Sequence, residues 1–183
     1  MTGQNREIEA AQSLEDFLQS IERRAFKTAY ISTSSKEDAL DIVQDSMMNL
    51  AQKYADKPTN EWPMLFQRIL QSKIRDWYRR QKVRNQWRTF FKGQNDEDDL
   101  VESAPDLNNN KPDDKFIQTQ AMHTLENALQ NLPLRQRQAF LLRTWEGMDV
   151  AETAEAMQCS QGSVKTHYSR AIHTLREILE DYR

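Results

Sequence analysis

The sequence predicts an all-α protein of two small helical domains, joined by a flexible acidic linker and carrying a C-terminal helix-turn-helix. Only 4 of the 183 residues are Gly and 5 are Pro, and the abundant Gln, Glu, Arg, Leu and Ala residues favour helices. Apolar residues recur at helical spacing, whereas the alternation of Val, Ile and Thr that is typical of strands does not occur. We therefore expect helices and no sheet.

The N-terminal domain is expected to span residues 13–92, after a disordered segment of residues 1–12. Its first helix should begin near Ser13, which can act as an N-cap, and apolar side chains then fall on one face as far as residue 29. Ser35 can cap a second helix at about 36–54. A third helix should begin near Pro63, because proline suits the first helical position, and end between residues 84 and 91.

Residues 93–115 are rich in Asp, Glu and Asn and contain two prolines. Such a segment cannot support a hydrophobic core, so we expect a linker. The C-terminal domain should span residues 116–183 and contain helices at about 116–131, 134–145, 150–157 and 161–181. The last two, with Asp149 as a cap and a short turn between them, have the spacing of a helix-turn-helix.

The charges are segregated along the chain, although the net charge is only −3. Residues 68–92 contain nine Lys or Arg and one acid, Asp76. Residues 96–114 contain eight acids and one base, Lys111. Opposite blocks in sequence predict a surface for nucleic acid followed by an acidic tether.

Cys159 is the only cysteine, which excludes an internal disulfide and fits a reducing compartment. The first residues lack the apolar core of a signal peptide, and no run approaches the ~20 apolar residues that span a membrane. We therefore expect a cytoplasmic protein without membrane insertion.

The beginning of the last helix is expected to contact DNA. Ser160 can satisfy the free backbone donors there, Lys and Arg can reach phosphates or guanine edges, and Gln can read adenine. The alternative is a solvated face in a plain helical bundle. The predicted contacts are Ser160, Gln161, Ser163, Lys165, Thr166, His167 and Arg170.

Three segments resemble a known family, the bacterial RNA polymerase sigma factors of the extracytoplasmic-function (ECF) type. Its fourth region is similar to LPLRQRQAFLLRTWEGMDVAETAEAMQCSQGSVKTHYSRAIHTLRE, its second region to EDALDIVQDSMMNL, and its helix for the minus-ten promoter element to RILQSKIRDWYRRQ. The resemblance implies a sigma factor rather than an enzyme. Such a protein binds core RNA polymerase, directs it to specific promoters and helps to melt DNA, and no cofactor is implied.

The same resemblance implies the partners: the clamp and flap of core RNA polymerase, promoter DNA, and an anti-sigma factor. The C-terminal domain would read the minus-thirty-five element. Gln158 departs from the family, which often has Gly at the turn, and Thr153, Leu70 and Ser72 also differ from the usual residues. The residues carried over to clamp binding are Asp38, Asp41, Gln44, Asp45 and Met48.

Residues 68–91 combine basic and aromatic side chains, which have the chemistry to capture unpaired bases. The cations neutralise phosphates, and exposed aromatic rings stack on bases for ~1–3 kcal/mol each. The resemblance implies that residues 55–62 frame a pocket for an extruded base; a solvated loop is the alternative. The pattern favours a core position for Trp77. Tyr78 and Trp87 fit a core position and an exposed, base-stacking position equally well. The predicted contacts are Lys57, Asn60, Trp62, Ser72, Arg75, Asp76, Tyr78, Arg79, Arg80, Lys82 and Arg84.

Other readings are weaker. The linker acids, among them residues 96–99, are either a solubilising spacer or a mimic of nucleic acid in polymerase channels. His123, His167 and His173 do not form a metal-ligand spacing with Cys159, so we expect no metal. A DNA-binding regulator with a sensing or dimerising N-terminal domain would leave the basic helix unexplained. A nucleic-acid-modifying enzyme would need a metal or acid cluster.

Overall fold

The computed structural model describes residues 2–91 and 117–180, and the side chains of residues 13–84 and 123–179. It contains helices and no strand within these ranges, so the predicted all-α class is confirmed. A 3₁₀ turn at Thr59–Glu61 precedes the third helix, and a π-helical turn at Leu141–Trp145 follows the fifth. The helices are α1 (Thr2–Thr33), α2 (Lys36–Tyr54), α3 (Trp62–Phe91), α4 (Ile117–Asn131), α5 (Leu134–Phe140), α6 (Val150–Met157) and α7 (Gln161–Glu180).

Helix α1 begins at Thr2, earlier than the start near Ser13 that the sequence predicts. Ser13 therefore lies inside the helix and is not its N-cap. Residues 4–12 contain Gln, Arg, Glu and Ala and no proline, and a helix already held by a packed face extends over such residues at little cost.

The corner between α1 and α2 follows from two serines. Ser34 adopts a left-handed backbone with φ of 56°, and its amide donates to the Tyr30 carbonyl at 2.8 Å. Ser35 is extended, and its side chain accepts from the Asp38 amide at 3.2 Å. The cap predicted at Ser35 is therefore present, because its hydroxyl satisfies a donor at the start of α2.

The segment predicted as one helix over residues 134–145 is divided. Regular α-helix ends at Phe140, and the Glu146 amide then donates to the Leu141 carbonyl, five residues earlier, at 3.0 Å. That spacing defines a π-helical turn. Gly147, with φ of 71°, terminates it, which is a backbone conformation that glycine adopts without strain.

Helices α1–α3 form one lobe, called here the N-terminal lobe. Its core is built from the apolar stripes of the three helices, with Leu50 of α2 and Phe66, Leu70 and Ile74 of α3 almost fully buried. Trp77 is also in this core, as the sequence favours. Burial of one such side chain contributes about 1.5–3 kcal/mol.

Helices α4–α7 form the C-terminal lobe. Leu129, Leu132 and Leu175 belong to one of its apolar clusters, and Met157 and Val164 to another. The lobes also contact each other, since α3 packs against α6 and α1 against α4. This contact brings the basic helix α3 beside the helix-turn-helix.

Candidate DNA and polymerase interfaces

Helices α6 and α7 form the helix-turn-helix, and their caps define its ends. Asp149 and Glu152 make a capping box at the start of α6. The Ser160 hydroxyl accepts from the Ser163 amide at 3.1 Å at the start of α7. These side chains satisfy helix donors that would otherwise be unpaired.

The turn between the two helices uses a left-handed residue. Gln158 has φ of 54° and ψ of 53°, at the position where the family often has Gly. The Cys159 amide then donates to the Ala154 carbonyl at 3.0 Å. This backbone costs a non-glycine residue about 1–2 kcal/mol, which the packing of Val164 and Ala154 behind the turn offsets.

The outward face of α7 carries the side chains predicted to contact DNA. Lys165 and Arg170 are exposed cations, and Thr166 is exposed while its hydroxyl bonds the Gly162 carbonyl within the helix. His167 and Ser163 are half-buried. The face is therefore polar and basic at the amino end of the helix, where anions are favoured. The remaining exposed members are Ser160 and Gln161.

Helix α3 presents a basic face, although several of its predicted contacts are engaged inside the protein. Asp76 lies 3.8 Å from Arg79 in an exposed ion pair, and Ser72 is half-buried. Arg75 and Tyr78 are bonded at the boundary between the lobes. On α3, the described basic side chains that make no ion pair or hydrogen bond are Arg80, Lys82 and Arg84, and all three are exposed.

Trp62 does not serve as an exposed stacking platform in this structure. Its side chain is only 2% exposed, packs 5.8 Å from the Phe17 ring, and donates from Nε1 to the Tyr54 carbonyl at 3.0 Å. The expected pocket role is thus corrected to a core role, because the ring fills space between α1 and α3. Lys57 and Asn60 remain exposed before α3.

The predicted clamp-binding residues lie on α2. Asp41, Gln44 and Asp45 are exposed, and Met48 is 50% exposed. Asp38 is half-buried beside its cap. An acidic face with accessible apolar side chains is typical of a protein-binding surface.

The sequence did not indicate the lobe boundary, where Arg137 of α5 is buried. Its Nη1 donates to the Ser32 carbonyl at 2.8 Å and to the Tyr78 hydroxyl at 2.6 Å. Ile31 of α1 is 1% exposed and joins the apolar cluster of the C-terminal lobe. The signal in the sequence that could have indicated this boundary was Ile31, because it lies outside the main apolar stripe of α1.

Arg75 forms a second contact across the boundary. Its Nη1 donates to the Met157 carbonyl at 3.2 Å and its Nη2 to Gln158 Oε1 at 2.8 Å. Desolvation lowers the pKa of Arg75, and the nearby positive charge of Arg135 lowers it further. This predicted minus-ten residue is thus bonded to the turn of the helix-turn-helix.

Other features bear on the remaining predictions. His173 Nδ1 lies 3.3 Å from Glu177 Oε2 on the surface of α7. Within the described side chains, no group of His, Cys, Asp or Glu is placed to hold a metal ion. None of the described helices is long and apolar enough to cross a membrane. The linker acids at residues 96–99, and the side chains of Trp87 and Arg88, lie outside the described residues.

Comparison with known proteins points to one family. Residues 122–175 match the family model described as Sigma-70, region 4. The chain is 29% identical over 147 residues to an RNA polymerase sigma-E factor from Streptomyces avermitilis, covering 75% of this chain and 80% of that one. It is 32% identical over 112 residues to an RNA polymerase sigma-E factor from Streptomyces antibioticus, covering 61% of each. It is 34% identical over 70 residues to the ECF RNA polymerase sigma factor BldN from Streptomyces coelicolor, covering 38% of this chain and 26% of that one.

A solved structure extends the similarity to the whole fold. The sigma factor RpoE from Bartonella quintana, in complex with the anti-sigma factor NepR, superimposes with a TM-score of 0.60 at 25% identity. The match covers 92% of this chain and 99% of RpoE. The chain therefore belongs to the RNA polymerase sigma factors of the extracytoplasmic-function type, which direct RNA polymerase in transcription initiation.

Proposed function

We propose that this chain binds core RNA polymerase, directs it to specific promoters and assists DNA melting. In this proposal α7 reads the minus-thirty-five element and α3 the minus-ten element. The observation that carries the proposal is the capped helix-turn-helix with an exposed basic α7 face, joined to a lobe that presents a second basic helix. Either surface alone would suit a simple regulator, but the pair suits a factor that engages two promoter elements.

Polymerase docking is assigned to α2. Asp41 and Asp45 provide exposed carboxylates, and Met48 adds an accessible apolar contact beside them. Lys73 Nζ lies 3.1 Å from Asp45 Oδ2, an exposed pair that costs little to exchange for another cation. This surface fits a basic, partly apolar site on the polymerase clamp.

Promoter recognition is divided between duplex and unpaired DNA. Lys165 and Arg170 on α7 would contact phosphates or base edges of the duplex. Arg79, Arg80 and Lys82 on α3 would hold the backbone of the melted strand. Because both sets are cationic, binding should weaken steeply as salt increases.

An anti-sigma factor is the remaining proposed partner. The similar RpoE structure is a complex with such a protein. The exposed apolar side chains Leu40 and Met48 on α2 and Leu179 on α7 are surfaces that a protein partner would cover. Such a partner would compete with polymerase for α2.

Transcription reconstituted with purified core polymerase and a promoter library tests the proposal. The full chain should form a complex with the core and produce defined transcripts that are absent with core alone. The double variant Asp41→Asn with Asp45→Asn should lose core binding, whereas Glu37→Gln, an exposed acid on the same helix, should retain it. A chain that neither binds core polymerase nor selects start sites would refute the proposal.

A further inference from the structure

The outward face of α7 has a threonine near its centre. Val164 and Leu175 are buried in the C-terminal lobe and define the side of the helix that faces inward. Because successive residues of a helix are rotated by about 100°, Thr166 lies almost directly opposite that side. Lys165 and Arg170 lie on either side of it, and all three are exposed. A duplex held by the two cations would therefore meet Thr166 between them.

The hydroxyl of Thr166 is already engaged within the helix. Its Oγ1 donates to the Gly162 carbonyl, four residues earlier, at 3.0 Å. A hydroxyl carries a single proton, so this bond uses the only donor of the side chain. Since the oxygen is held against the helix backbone, the methyl group is what remains for an outside contact. Thr166 therefore offers an apolar group rather than a hydrogen-bond donor.

The neighbouring serine hydroxyls hold the beginning of α7. The Ser160 and Ser163 hydroxyl oxygens are 2.8 Å apart, and Ser160 Oγ also accepts from the Ser163 amide. One of the two hydroxyl protons is therefore used within this pair. Because hydroxyls both donate and accept, they distinguish bases poorly in any case. The methyl of Thr166 is thus the more selective group on this face.

Gly162 leaves open space beside that methyl. It lies one helical turn before Thr166 and is also exposed. Apart from the helix's own backbone, the described structure places only Ser160 Oγ within 4 Å of a Cβ added at Gly162, at an ordinary contact distance of 3.8 Å. Alanine would fit there and would favour the helix. The described fold therefore does not require this glycine, whereas a ligand that approaches the helix closely would.

Thymine is the base whose chemistry matches this arrangement. In the major groove thymine presents its C5 methyl group, whereas the other bases are recognised there by hydrogen-bond donors and acceptors. Contact between two methyl groups removes both from water and is favourable. An apolar group between two cations therefore suits a thymine edge between two backbone contacts.

We propose that Thr166 is a specificity-determining residue, which reads one thymine of the minus-thirty-five element through contact between methyl groups, and that Gly162 allows the base edge to approach. The inference rests on the proposed function, because it requires α7 to lie in the major groove of a promoter. Phosphate contacts position a protein and base contacts specify the sequence. Lys165 and Arg170 thus hold the duplex, and Thr166 selects the base.

Replacement of thymine by uracil in the promoter tests the proposal. The full chain, combined with core polymerase, first selects a promoter from a duplex library. Deoxyuridine then replaces each thymine of that promoter in turn, which removes the methyl group and leaves base pairing and the polar groups of the groove intact. At one thymine of the minus-thirty-five element, binding should weaken about fourfold, the factor that burial of one methyl group contributes.

Two substitutions connect that thymine to Thr166. Thr166→Ser keeps the hydroxyl and removes the methyl, so it should bind the thymine promoter about fourfold more weakly and should no longer distinguish uracil at that position. Thr166→Val keeps a methyl and should still distinguish the two bases. Thr174→Ser, the same exchange farther along α7, is the matched control and should behave as the original chain. The salt dependence should be the same in all of them, because the phosphate contacts are unchanged.

Gly162→Ala separates recognition from folding. The variant should unfold at a higher urea concentration, because alanine favours the helix. It should nevertheless bind the selected promoter more weakly, because its side chain occupies the space needed by the base edge. Unchanged binding in this variant would overturn the close approach at Gly162.

The outcomes distinguish the inference from the function on which it rests. If no thymine of the minus-thirty-five element responds to uracil, or if Thr166→Ser distinguishes thymine from uracil as well as the original chain does, the assignment of Thr166 is wrong. A chain that binds no core polymerase or selects no promoter would instead refute the proposed function, and that result is visible before any thymine is replaced.

Discussion

Asp149 and Glu152 each bond the other's backbone at the start of α6. The Glu152 amide donates to Asp149 Oδ1 at 2.8 Å, and the Asp149 amide donates to Glu152 Oε2 at 2.7 Å. This reciprocal arrangement fixes where the first helix of the helix-turn-helix begins, and therefore how α7 is presented.

Replacing Asp149 by alanine should destabilise the C-terminal lobe by about 1 kcal/mol, because a helix donor loses its acceptor. Urea unfolding followed by circular dichroism measures the loss. Asp149→Asn is the matched control, since asparagine caps a helix about as well. Equal stability of the alanine variant and the original chain would contradict the role of the cap.

Trp62 should behave as a core residue. Trp62→Ala should lower the free energy of unfolding by about 3–5 kcal/mol, as expected when a buried aromatic side chain is removed. Trp62→Phe keeps most of the packing but loses the bond to the Tyr54 carbonyl, and should cost less. Unfolding curves that are unchanged in Trp62→Ala, together with weaker binding to single-stranded DNA, would instead favour the stacking role.

Glu146 should make stability depend on pH. Desolvation raises the pKa of its carboxyl, and Arg24 only partly opposes this. Between the unfolded and the folded pKa, the folded chain holds a proton that the unfolded chain has released, so the contribution of Glu146 to stability falls as pH rises.

The substitution Glu146→Gln should therefore raise the free energy of unfolding at neutral pH, and the gain should shrink as pH is lowered through that window. Denaturation at several pH values measures it. Glu61→Gln, at an exposed acid just before α3, serves as the control and should leave the free energy of unfolding nearly unchanged. A gain that grows towards acid pH would contradict the desolvation argument.

Lys165 and Arg170 should each contribute one phosphate contact. Alanine at either position should weaken duplex binding and reduce the magnitude of the slope of log K against log salt by about 1. Arg176→Ala removes an exposed cation farther along α7 and should leave the slope nearly unchanged. If Lys165→Ala and Arg170→Ala both leave the slope of the original chain unchanged, α7 is not part of the DNA interface.

Local signals predicted the helices well. The hydroxyl of Ser35 and the carboxylate of Asp149 cap helices where the sequence places them, because capping depends on a few neighbouring residues. The left-handed turn at Gln158 was expected by resemblance although glycine is absent there. The start of α1 and the π-helical turn after Phe140 were not predicted, since packing of the neighbouring elements decides how far a helix extends and where it widens.

Contacts between segments that are distant in sequence were harder to predict from the sequence. The family resemblance placed Trp62 in a pocket for an extruded base, but Phe17, far away in sequence, packs against it. Arg137 lies in a basic stretch of the sequence, yet it is buried and its Nη1 donates to the Ile31 and Ser32 carbonyls at the end of α1. No spacing rule indicates such pairs, because they depend on how two lobes meet.

Where α3 meets the C-terminal lobe, Gln138 Nε2 donates to Gln71 Oε1 at 2.9 Å, while Gln71 Nε2 and Gln138 Oε1 are buried and unpaired in the structure as described. This incomplete pairing affects the strength of the contact between the lobes. Two modules on one chain meet at an effective concentration of the order of millimolar, depending on the length of the connecting segment. Even a feeble mutual affinity is then enough to keep them together, and a tenfold change corresponds to only about 1.4 kcal/mol. Exchanging one of these amides should therefore change how firmly the two lobes hold together, while the side chains proposed to contact DNA and polymerase stay unchanged.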